Sequence, residues 1–144
     1  MNTSKFSKTI KDVDREEAEQ WLQTVMPLYE QAATLTHKIA KVDNDGLPAD
    51  LSTLIEVNTK LTPILKSVKE IPKPKEKELR KLQKDFKQAL DACISASKWG
   101  AKLSQKPNRV RFSFTVFWTS LANSFMESLS KKLALLSEYL NSGR

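Results

Sequence analysis

Apolar residues recur along this chain at alternating steps of four and three in four separate segments. The first runs Trp21, Val25, Leu28, Ala32, Leu35, Ile39, Val42, and the second Leu54, Val57, Leu61, Ile64, Val68, Ile71. The third reads Leu79, Leu82, Phe86, Ala89, Cys93, and the fourth Phe114, Trp118, Leu121, Phe125, Leu129, Leu133, Leu136, Leu140. That spacing places each set along one side of an α-helix, and a helix with one apolar side has to bury it. Four such helices predict an all-α fold, an antiparallel up-down-up-down four-helix bundle with a left-handed twist and short connections. The expected helices cover residues 14–42, 48–70, 75–103 and 109–141.

Punctuation along the chain supports these boundaries. Asp14 with Glu17 three residues on fits a capping box, and Glu16, Glu17 and Glu19 complement the helix dipole. Pro27 lies inside the first pattern without changing its phase, so a kink is expected there. Asp43-Asn44-Asp45-Gly46 signals a turn, and Pro48 suits the first position of the next helix. Pro63 should kink the second helix, although Thr62 could instead cap a new segment beginning at Pro63. Ile71-Pro72-Lys73-Pro74 forms a stiff connector, with the third helix starting around Pro74 or Lys75. Gly100 should weaken that helix's last turn. Val110, Phe112, Phe114 and Val116 alternate with polar residues as in a strand, but no partner strand exists, so the segment is assigned to helix. Asn141-Ser142-Gly143 supplies a stop.

The chain has 144 residues, 28% charged and 40% hydrophobic, which suits one domain able to fold without a metal or disulfide. Residues 1–13 read as a flexible polar leader and 14–144 as a single helical-bundle domain. With Cys93 the sole cysteine and no apolar run that reads as a secretory signal or membrane span, a cytoplasmic location is expected. The net charge of +7 is uneven. Residues 1–72 hold 9 basic and 11 acidic side chains, whereas 73–111 alone hold 12 basic and 4 acidic. A concentrated positive field favours acidic proteins, nucleic acid or anionic lipid, or serves only to keep the molecule dispersed.

Motifs for catalysis are sparse. His37 falls outside the first stripe and Cys93 lies within the third, which suits a surface imidazole and a small core thiol better than a nucleophile pair. His37 has Thr34, not Glu, three residues before it, so the bundle di-metal pattern is not met. Gly46, Gly100 and Gly143 are too isolated to build a phosphate loop. No cofactor is expected.

The best positive signal is a basic face. Lys77, Arg80, Lys81, Lys84, Lys87, Lys98 and Lys102 avoid the third apolar stripe, and Arg109 and Arg111 follow in the next loop and helix. Together they form a candidate face for an anionic ligand. The alternative is a solvated surface balanced by Glu76, Glu78, Asp85 and Asp91, with Glu76 to Arg80 a favourable i, i+4 pair. Phe112, Phe114, Phe117 and Trp118 are expected in the core, although their neighbourhood with Arg109 and Arg111 also suits single-strand stacking or an interfacial membrane helix. Leu22, Met26, Tyr29 and Ala33 form a second stripe on the first helix, which leaves a homodimer open. Two functions are therefore carried forward. One is a non-catalytic interaction protein binding a protein partner or itself, with a basic third helix for acidic ligands. The other is a module directed to nucleic acid or anionic membrane through residues 73–111. An enzyme ranks third.

Overall fold

The computed structural model describes residues 3–40 and 51–142, and every regular element among them is helical. A short helix α1 (Thr3–Thr9) leads through a 3₁₀ turn (Ile10–Asp12) into α2 (Arg15–Ala40). Then follow α3 (Leu51–Glu70), α4 (Lys77–Gln105) and α5 (Arg109–Ser142). The Asp43–Gly46 turn, Val42 and the Pro48 helix start lie outside the described residues.

The helices bury most of the seams that their periodicity marks out, the first half of the fourth excepted. Trp21, Val25, Ala32 and Leu35 of α2 meet Val57, Leu61, Ile64 and Val68 of α3 in a common interior. Leu79, Leu82, Phe86, Ala89 and Cys93 of α4 and Leu129, Leu133, Leu136 and Leu140 of α5 complete it. Each such leucine is worth roughly 1.5–3 kcal/mol of transfer free energy. The second α2 stripe of Leu22, Met26 and Tyr29 is half-buried against this core.

Polar contacts fix which positions adjoin. The Trp21 indole N–H donates to the Gln83 side-chain oxygen at 2.9 Å, and the Gln83 amide donates to the Ile71 carbonyl at 3.1 Å. The Asn58 amide donates to the Ser97 hydroxyl at 3.0 Å, joining α3 to α4. Lys132 of α5 pairs with Asp85 of α4 at 3.1 Å. The Arg15 guanidinium donates to the Tyr139 carbonyl at 2.6 Å, and its centre lies 4.6 Å from that tyrosine's ring.

Several expectations change, and others hold. Residues 3–12, within the segment expected as a flexible leader, form a short helix and a 3₁₀ turn, and Phe6, Ile10 and Val13 reach the core. Pro27 and Pro63 each lie inside one continuous helix, as expected, so only the alternative of a break at Pro63 falls. Thr62 does not cap a new segment; its hydroxyl donates back to the Asn58 carbonyl at 2.9 Å, within the helix. The assignment of 110–116 to helix despite its strand-like alternation holds: the backbone bonds of α5 start at Phe112 N–H to Asn108 carbonyl, 3.0 Å. Gly100 is not merely a weak point. A Cβ there would lie 3.2 Å from the Leu54 methyls, so the missing side chain lets α3 approach α4.

The expected capping box is only half-formed. Asp14 accepts from the Glu16 N–H at 3.1 Å, but Glu17 reaches across the molecule instead of back. Glu17 accepts from the Glu76 backbone N–H at 2.7 Å, and Glu76 accepts from the Asp14 backbone N–H at 3.3 Å. The starts of α2 and α4 thus exchange caps. Glu76 is not paired with Arg80, whose guanidinium donates to the Pro74 and Lys75 carbonyls at 3.1 and 2.6 Å.

Candidate interaction surface

The α4 basic residues do share a face. At 100° per residue, Lys77, Arg80, Lys81, Lys84, Lys87, Lys98 and Lys102 fall within an arc of about 120°. They form two groups, because Lys87 and Lys98 stand about 16 Å apart along the axis with exposed Asp91 between them.

The first group is partly neutralised. Lys77, Lys81 and Lys84 border a groove of about 480 Å³ that also contains Glu78, Asp85 and Lys132. Glu78 lies 3.7 Å from Lys81, Asp85 is paired with the buried Lys132, and Arg80 is occupied by the connector carbonyls.

The second group sits beside an unexpected feature. Val110, Phe112, Phe114, Val116 and Phe117, at the start of α5, are 62%, 57%, 43%, 47% and 56% exposed. Phe112, Phe114 and Phe117 are therefore not core residues, and Trp118, Leu121 and Phe125 are only half-buried. The reason is the line of contact. This half of α5 turns Arg111, Thr115 and Ala122 inward, and Thr115 and Ala122 are buried. The aromatic stripe is rotated off that line, so it lies on the flanks.

Two local devices hold the surface in place. Asn108 caps α5 by accepting from the Arg111 N–H at 2.8 Å, a role that Pro107-Asn108 signals in the sequence. The Arg111 guanidinium donates to the Lys102 and Lys106 carbonyls at 2.6 and 3.2 Å, closing the end of α4. Arg111 is thus committed to the turn rather than free for a ligand. Trp99 stacks on Phe114 with ring centroids 4.6 Å apart and planes inclined by 19°. The Lys102 ammonium lies 4.5 Å from the Trp99 ring centre. Phe114, Phe117, Val110 and Arg109 border one shallow depression, and Trp99, Lys102 and Arg109 another.

The charge of this region is one-sided. From residue 92 to 126 the chain carries Lys98, Lys102, Lys106, Arg109 and Arg111 and no Asp or Glu. Lys98, Lys106 and Arg109 are exposed.

The remaining titratable groups lie elsewhere. His37 is exposed on α2, while Cys93 is buried in α4, where burial pushes its thiol up to about 12. Glu56 is held below the usual carboxylate range, first by its hydrogen bond from Lys60 and then by Lys38. Among the described residues no cluster of His, Cys, Asp or Glu is placed to hold a metal ion, and no helix is long and apolar enough to cross a membrane. No family model, curated protein or solved structure matches this chain.

Proposed function

We propose that this protein is a non-enzymatic docking module that presents the α4–α5 end, apolar and cationic together, to an acidic partner inside the cell. The observation that carries the reading is the exposure of five large apolar side chains on the first turns of α5 beside a stretch without acidic residues. Exposed apolar surface rimmed by polar groups marks interaction sites. In this reading α2 to α5 form the antiparallel up-down-up-down bundle, gently bent at Pro27 and Pro63, and act as a rigid stand. The contacts Arg15 to Tyr139, Trp21 to Gln83 and Lys132 to Asp85 support that arrangement. The Lys77–Lys87 group is secondary, because its carboxylates already offset part of its charge.

The test uses a polarity-sensitive dye on Ser113→Cys, an exposed position next to Phe114, with Cys93 shielded by burial. The labelled protein is titrated separately with anionic vesicles, a single-stranded oligonucleotide, polyglutamate and unlabelled protein. A blue shift with at least one supports docking at this end. No shift with any of the four overturns it.

A further inference from the structure

Building on the docking reading, we propose that the partner is an anionic lipid surface, into which the first three turns of α5 insert at headgroup level. Shape is the first argument. Taking Val110 as zero at 100° per residue, Phe114 and Phe117 fall within about 40° of it, and Phe112 and Val116 lie near 200–240°. The inward line of Arg111, Thr115 and Ala122 runs between them at about 100–140°. Apolar side chains therefore flank α5 on both shoulders of a ridge. A rigid protein groove would cover one shoulder, whereas a fluid interface closes around both.

Charge is the second argument. Arg109 borders the ridge, exposed Lys98 and Lys106 lie in the last turns of α4 and the turn that follows it, and no acidic residue occurs between 92 and 126. A symmetric second copy seated on this patch would bring like charges together. An anionic leaflet attracts the same cations while its acyl layer accepts the rings.

Available ring faces are the third argument: Phe112 offers one, but the Trp99–Phe114 pair beside the cations is already stacked. Base stacking needs open aromatic faces. Trp99 has Phe114 stacked on one face and Lys102 over its ring. Val110 and Val116, the most exposed aliphatic members of the ridge, offer no ring for a base. They do partition into lipid. Since no described helix is suited to cross a bilayer, the attachment is interfacial.

The experiment is vesicle co-sedimentation of the whole protein, with the Ser113→Cys dye as second readout. Phosphatidylcholine vesicles containing phosphatidylserine should pellet the protein and shift the dye to the blue, and phosphatidylcholine alone should do so weakly. Phe112→Ser with Phe117→Ser should lower the apparent vesicle affinity by about tenfold or more at unchanged helical circular dichroism. Lys98→Gln, Lys106→Gln and Arg109→Gln together should remove the preference for phosphatidylserine. Lys81→Gln with Lys84→Gln should leave binding unchanged. Response to polyglutamate, oligonucleotide or a second copy but not to vesicles overturns the lipid inference while the docking reading stands. Silence with every probe overturns both. Full competition by inorganic phosphate, or wild-type pelleting by the double serine variant, overturns insertion.

Discussion

Replacing Gln83 by leucine should destabilise this protein more than most core substitutions that keep volume. Gln83 is 3% exposed and lies within the apolar side of α4. Its oxygen accepts from the Trp21 indole at 2.9 Å and its amide donates to the Ile71 carbonyl at 3.1 Å. Gln83→Leu deletes both partners at once and leaves an indole N–H and a backbone carbonyl without them. An unsatisfied buried group costs about 1–3 kcal/mol; the indole bears that in full and the part-buried Ile71 carbonyl less, so the loss is about 2–4 kcal/mol, reduced by the apolar surface that leucine buries. Against a total stability of roughly 5–15 kcal/mol, that is a large share. The melting temperature should fall by several degrees, at about 2–4 °C per kcal/mol for a chain near this size. Urea unfolding followed by far-ultraviolet circular dichroism reads the change without relying on Trp21 emission. A double-mutant cycle isolates the indole bond: Trp21→Phe removes the donor, so Trp21→Phe with Gln83→Leu should cost less than the sum of the singles. A Gln83→Leu protein within about 0.5 kcal/mol of the parent, or strictly additive singles, would refute the role of this node.

Three further outcomes are expected. Gly100→Val should lower stability by about 1–3 kcal/mol in denaturant titration, because a Cβ already meets the Leu54 methyls at 3.2 Å and the extra methyls have nowhere to go; an unchanged midpoint would contradict the close approach of α3 and α4. Cys93 should give a pH signature: its folded thiol is pushed up to about 12 from an ordinary 9.0, so its contribution is complete below pH 9 and is lost as pH rises toward 12. The slope approaches about 1.4 kcal/mol per pH unit, and Cys93→Ala, compared over the same range, should lack that component. Glu17→Ala should cost about 0.5–2 kcal/mol by uncapping the Glu76 N–H, and hydrogen exchange at the start of α4, not only of α2, should accelerate; protection lost at α2 alone would favour a local capping box.

How far the sequence reaches depends on the range of the interaction. The four seams are local periodic signals, and Trp21, Leu61 and Phe86 are buried as their spacing predicts. Phe6, Ile10 and Val13 carry the same four-three step, yet the polar residues around them read as a leader because three apolar positions make too short a pattern. The exchanged caps join Glu17 to Glu76, 59 positions apart, and no local motif encodes such a pair. Gln83 is likewise invisible, since its polarity argues for solvent until Trp21 and Ile71 are placed around it. The basic face was legible from α4 alone. The engagement of Arg80 and Arg111 was not, because they serve backbone carbonyls of the connector and of the end of α4.

The contrast within α5 bears most on function. Its second half buries Leu129, Leu133, Leu136 and Leu140 in the core. Its first half continues the apolar period through Phe114, Trp118 and Leu121, but Thr115 and Ala122 make the inward contact. Periodicity reports that a helix has an apolar side; it carries no information on whether the same chain covers that side. The exposed rings of Phe112 and Phe117 add little to the bundle's stability, because more than half of each already faces water. Exposed rings also favour aggregation, so a helix built only to fold gains nothing from them. The cations at this end of the molecule offset that tendency by mutual repulsion between copies, and the same charges attract an acidic surface. On the docking reading, repulsion of self and attraction of an anionic interface are two consequences of one arrangement, so charge, rather than ring count, is what would separate a docking surface from a dimer seam.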